Sequence, residues 1–154
     1  MHRENFDQGA VAAKLNQILE MELAGVVRYT HYSFMVFGYG RIPIVSWLRS
    51  EASDALAHAQ EVGELITTLG GHPSLGIGPL LETHKHDIGD ILRESLEHEN
   101  AALQKYHELL DLVRDRSVNL EEFARRLIVL EEAHAGEVNK MLRNAGDLAE
   151  FVST

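Results

Sequence analysis

LEEAHAGEV, residues 130–138, sets Glu131 three positions before His134, while SDALAHAQE, residues 53–61, carries His58 in a similar run with Ala55 three positions before it. A spacing of i, i+3 brings two side chains to one face only if the chain is helical, where a carboxylate and an imidazole can share a cation or pair with each other. The fold therefore turns on whether these runs are helices, and on which face they turn inward. Glycine and proline answer the first point. Three prolines and twelve glycines occur in the chain, and they concentrate in GYGRIP at 38–43 and GGHPSLGIGP at 70–79, breaking otherwise helix-favouring sequence. Four helices are predicted, at 6–37, 43–69, 88–115 and 120–144. Asn5 with Gln8, and Asn119 with Glu122, match the pattern of an N-terminal cap answered by a side chain three residues on, and Pro43 suits a first helical position. No strand-like alternation competes.

Connection length sets the topology. The first and third breaks are short enough to join antiparallel neighbours, whereas residues 70–87 can run the length of a bundle. The expected fold is all-α: a four-helix bundle with one long crossover between helices 2 and 3. It forms a single domain over 1–154, with core helices about 6–144 and a short tail at 145–154.

A core-facing stripe recurs in steps of three and four. It runs Val11, Leu15, Ile18, Glu22, Gly25, Tyr29, Tyr32, Val36 in the first helix and Ile44, Leu48, Glu51, Ala55, His58, Val62, Leu65, Leu69 in the second. The third reads Leu92, Leu96, Glu99, Leu103, Tyr106, Leu110, Val113, and the fourth Ala124, Leu127, Glu131, His134, Val138, Met141. Each stripe is interrupted near its midpoint by ionisable residues. A buried carboxylate costs several kcal/mol unless it is protonated, paired or bound to a cation. Antiparallel packing would bring Glu22, His58, Glu99, Glu131 and His134 into one layer, which makes them candidate metal ligands. Taken singly, His58 could be a satisfied core histidine, Glu22 and Glu99 could tilt to the surface, and Glu131 with His134 could be a local pair. Taken together, those readings require all four helices to be misphased at the same level. Tyr29, Tyr32 and Tyr106 read as core aromatics, one or two turns from the layer and able to donate to a ligand; His72, His84 and His86 read as solvated.

Composition limits the chemistry. The formal charge of −10 disfavours nucleic acid and anionic membrane surfaces, and no segment is apolar for long enough to span a bilayer. With no cysteine, zinc-thiolate and iron-sulfur sites are excluded, so a metal would take oxygen and imidazole ligands. The N-terminal MHRENFDQGA has no basic stretch followed by an apolar run, so no targeting signal is expected and the expected location is cytoplasmic.

ELAGVVRY at 22–29, SDALAHAQE at 53–61, SLEHENA at 95–101 and EEAHAGEV at 131–138 together resemble, in order and spacing, the four ligand segments of the bacterioferritin branch of the ferritin-like diiron-carboxylate superfamily. The resemblance covers nearly all of 8–144. It implies a ferritin-like bundle with a dinuclear iron centre, acting as a ferroxidase that oxidises Fe²⁺ to Fe³⁺ with O₂ or H₂O₂ and stores the product inside a hollow homo-oligomer. Glu22 and His58 would serve one half of the site and Glu131 and His134 the other, with Glu99 a terminal or bridging carboxylate. Two positions depart from the family. Ala55 stands where the second helix supplies a bridging glutamate, leaving Asp54 as the first-ranked substitute ligand and Glu51, ~10 Å from His58 along the helix, as the second. Leu56 stands where heme-binding members carry methionine, so heme is not expected. The short tail after Gly146 makes a dimer along the first two helices the minimum assembly, with a cage left open. The rival readings are a diiron oxidase or peroxidase acting on another substrate, and a metal-free helical interaction protein.

Overall fold

The computed structural model describes residues 6–80 and 83–152. It comprises α1 (Gln8–Met35), α2 (Arg41–Thr68), α3 (Ile88–Val113) and α4 (Val118–Leu142), with no strand among the described residues. Every helix border lies within two residues of the expected one. The capping groups differ more. Asn5 lies outside the described residues, and α1 is capped by Asp7, whose carboxylate accepts from the Ala10 N–H at 3.0 Å. At α4 the cap is Ser117, two residues before the expected Asn119. Its hydroxyl accepts from the Leu120 N–H at 3.3 Å, and Glu121 accepts from the Asp115 N–H at 2.7 Å. Asp115 adopts φ 61°, so the chain turns into the helix earlier than the Asn119/Glu122 pattern suggests. Pro43 is the third residue of α2 rather than the first, still within the turn whose N–H groups have no intrahelical acceptor. The end of α2 is closed by Gly70 at φ 79°: Gly70 N–H donates to Thr67 O and Gly71 N–H to Ile66 O, both at 2.9 Å.

α1 packs on α2 and on α3, and α3 packs on α4; α2 and α4 meet across the bundle through side chains such as Arg126 and Glu61. The crossover follows α1 upward. Ser74 N–H donates to Asn16 Oδ1 at 2.8 Å, Gly78 N–H to Glu20 O at 2.8 Å, and Arg28 Nη1 to Pro79 O at 3.3 Å. Because a Cβ at Gly78 would lie 3.1 Å from the Glu20 carbonyl oxygen, this close approach favours glycine. The crossover thus carries the chain from the end of α2 back along α1, so that α2 and α3 run parallel.

All eight positions of the expected α1 stripe are buried. In α2 the stripe is broader, with Val45, Ala52, Ala59 and Ile66 buried while Ile44, His58, Leu65 and Leu69 are half-buried. The apolar core divides in two. One cluster centres on Leu15, Ile18, Val62, Ile66, Leu109 and Leu127, the other on Tyr29, Tyr32, Val36, Val45, Leu48 and Ile91. No α4 residue belongs to the second cluster, which leaves Met141 exposed, contrary to its place in the expected stripe. Between the clusters lies a polar layer.

Candidate metal centre

Glu22 from α1, Glu51 from α2, Glu99 from α3 and Glu131 from α4 are all buried in that layer, with His58 and His134 half-buried beside them. Glu131 is central. Its Oε1 lies 3.8 Å from His58 Nδ1 and its Oε2 3.9 Å from His134 Nδ1, so one carboxylate faces both imidazoles. His58 Nδ1 is also 3.3 Å from Glu22 Oε2, and His134 Nδ1 is 3.5 Å from Glu51 Oε2. Three groups bring one potential ligand atom from each member within 4.8 Å of the others: Glu22, His58 and Glu131; Glu99, Glu131 and His134; and Glu51, Asp54 and His134. Asp54, ranked first to replace the missing carboxylate, is exposed and converges on the His134 side; Glu51, ranked second, is buried there. Ala55 is buried, presenting only its methyl group.

Electrostatics test whether these residues suit a metal. Among the described residues, no lysine or arginine forms an ion pair with any of these four carboxylates; the ionic contacts of Glu22, Glu51 and Glu131 are with His58 and His134. Burial, then Glu99 and Asp54, push Glu51 up to about 8. Burial, then the neighbouring Glu99, likewise raise Glu131 far above the ordinary carboxylate range. Burial lowers the affinity of His58 for a proton, but Glu22, with Asp54 and Glu61, together outweigh it and the net shift is upward. Even so, the buried His58 Nδ1 has no aligned hydrogen-bond partner, although carboxylate oxygens flank it. A cluster of buried carboxyl groups that hold protons in the absence of a cation, with an orphaned imidazole nitrogen turned into it, is satisfied by a cation, and the oxygen and nitrogen donors suit iron or manganese.

Two tyrosines brace the layer. Tyr29 on α1 donates to Glu99 Oε1 on α3, and Tyr106 on α3 donates to Glu22 Oε2 on α1 at 2.5 Å. Each tyrosine lies seven residues after its own helix's ligand candidate, as ELAGVVRY and ENAALQKY show, so the two helices exchange equivalent bonds. Burial first, and then the accepting carboxylate, raise both phenols well above 10, keeping them protonated as donors. Tyrosine reach was anticipated; the reciprocal pairing was legible only in that repeated seven-residue spacing. Three further buried polar residues were not anticipated. Arg28 Nη2 donates to Glu94 O at 3.2 Å, the Glu94 carboxylate accepts from Thr83 Oγ1 at 2.9 Å, and His98 packs edge-on against Tyr29 with ring centroids 5.8 Å apart. Burial lowers His98 to about 4. Of the crossover histidines, His72 and His84 are exposed as expected, whereas His86 is half-buried with its ring 5.9 Å from that of His31.

Comparison with known proteins bears on the family and the fold. A family model described as a ferritin-like domain matches residues 12–147. The chain belongs to the ferritin-like domain family. Solved structures share the ferritin-like fold. Ferritin-like diiron-carboxylate proteins from Bacillus anthracis str. Ames superpose with a TM-score of 0.85 at 24% identity, covering 89% of this chain and 98% of that one. A dodecameric thioferritin, the bacterioferritin-related protein of Bacteroides fragilis, gives 0.83 at 20% identity over 89% of this chain and 86% of that one. Rhodobacter capsulatus bacterioferritin, described with a metal-free dinuclear site and heme iron, gives 0.78 at 24% identity over 87% and 84%. No functionally curated protein matches the chain. No helix among the described residues of this ferritin-like chain is long and apolar enough to cross a membrane.

Proposed function

We propose that this ferritin-like protein is an iron oxidation and storage protein, taking up Fe²⁺ in the buried layer and oxidising it with O₂ or H₂O₂. The observation that carries the proposal is Glu131, one carboxylate facing two imidazoles, with a further carboxylate, Glu22 or Glu99, completing a ligand group on either side. Glu22, His58 and Glu131 would hold one ferrous ion, and Glu99, Glu131 and His134 the other. Two ions held as neighbours can give up two electrons together to one oxidant, the product being ferric oxyhydroxide with protons released to water. Tyr29 and Tyr106 fix the rotation of Glu99 and Glu22 through their hydrogen bonds, so these carboxylates are oriented before an ion arrives. The two apolar clusters cover the layer above and below, and it meets solvent at its side, where His58 and His134 are half-buried.

Assembly as a homo-oligomer belongs to the same proposal. Val27 and Phe34 on α1 and Leu56 on α2 are large apolar side chains left exposed, as a dimer along these two helices requires. Leu56 has no lone pair to offer a heme iron, and heme forms no part of the proposal. Mineral loading tests storage against an oxidase or peroxidase that acts on another substrate. After aerobic addition of excess Fe²⁺ and gel filtration, storage predicts many irons retained per chain in a large oligomer; retention of about two per chain would reject storage.

A further inference from the structure

Position 55 raises a question that the ligand groups answer. Ala55 lies on the inward face of α2, one helical turn after Glu51 and one before His58. A turn advances the axis by ~5.4 Å, a span that an extended glutamate side chain can largely recover. Glu51 is buried, and its Oε2 lies 3.5 Å from His134 Nδ1 across the bundle. Asp54 reaches the same neighbourhood from an exposed position, where water competes for its carboxylate. Neither Glu51 nor Asp54 joins the ligand group around His58; with His134 they form a group of their own, which shares that imidazole with the group of Glu99, Glu131 and His134.

We infer that Glu51 supplies the carboxylate missing at position 55 and does so on the His134 side alone, making the centre lopsided. This rests on the metal-binding reading above. The His134 position then draws on Glu51, Glu99, Glu131 and His134, while the His58 position has Glu22, His58 and the shared Glu131. With three carboxylates against two, the His134 position is the tighter one and fills first. The His58 position is the exchangeable one, through which ions pass. Asp54 is a peripheral neighbour rather than a ligand. Restoring glutamate at position 55 would add a carboxylate between the two positions and reduce the difference.

Calorimetric titration of the full-length metal-free protein with Co²⁺, alongside visible absorption, tests the assignment without requiring turnover. Two resolved steps per chain are expected. Glu51→Gln weakens the first step about tenfold or more, as removal of a charged metal partner does, and leaves the second within about twofold. Asp54→Asn leaves both steps within about twofold, and Ala55→Glu tightens the second towards the first. Circular dichroism of each variant checks folding, and the isosteric Gln, which resembles protonated Glu51, keeps the layer packed. If Glu51→Gln leaves the first step unchanged, or Asp54→Asn removes it, the assignment is overturned while the metal-binding reading stands. If the unaltered protein takes up no Co²⁺, the metal-binding reading and this assignment fall together.

Discussion

At the scale of the residue, the layer is a concentration of negative charge that the metal-free protein tolerates by holding protons. Glu51 is raised to about 8 from 4.5, and Glu131 is raised in the same direction. Between those limits the folded state keeps a proton at Glu51 that the unfolded chain has released, so this contribution to stability falls as pH rises. His58, whose affinity for a proton is also raised, acts in the same direction. His98 acts oppositely: lowered to about 4 from 6.5, it favours the folded state increasingly as pH rises between those values, and contributes no slope above them. The groups facing Glu51 are Glu22 from α1, His58 and Asp54 from α2, Glu99 from α3 and Glu131 with His134 from α4. The metal-free protein is therefore expected to lose thermal stability from pH 6.5 to pH 8. Mn²⁺ should reverse that trend, because its ligands must shed protons to bind, and each site at a hundredfold excess over Kd should add about 2.7 kcal/mol. Melting curves with and without Mn²⁺ across this range check both signs. A metal-free protein that gains stability as pH rises would contradict the account.

At the scale of the element, helix identity and phase were legible because the breakers are few and clustered, and because an inward stripe must repeat every three or four residues. The α1 stripe could be read without error, even through Glu22 and Gly25. The caps were less legible. Asn119 followed by Glu122 matches the reciprocal capping pattern, yet Ser117, with Leu120 in the answering position, is the residue that accepts the hydrogen bond. The left-handed turn at Asp115 decides this, and its conformation leaves no clear sequence signal. Ser117→Ala should cost about 1 kcal/mol, lowering Tm by roughly 2–4 °C, while Asn119→Ala should be near neutral. Urea denaturation of the two variants distinguishes them; the reverse order would place the cap where the sequence pattern does. The candidate ligand layer was legible as a set of midpoints. The placement of Glu51 was hidden because its separation from His58 along α2 is irrelevant: its partner is His134 on α4, and which residue faces it depends on helix rotation across the bundle.

At the scale of the whole molecule, two apolar clusters sandwich one charged layer, and each helix contributes to that layer near its midpoint. Such an arrangement gives up continuous hydrophobic packing at the centre, where burial of apolar area would otherwise favour folding. A bound cation pair would compensate, because binding to the folded state alone stabilises it. The charge of −10 adds a field that draws Fe²⁺ towards the protein. The most direct test of the central claim, a two-ion oxidation centre within this layer, is anaerobic Fe²⁺ titration of the metal-free protein followed by rapid mixing with O₂. The account predicts saturation at two Fe²⁺ per chain and a fast oxidation phase with the same stoichiometry, both lost in Glu131→Ala while the helices remain folded. Absence of saturable binding, or oxidation no faster than that of Fe²⁺ in buffer, would contradict it.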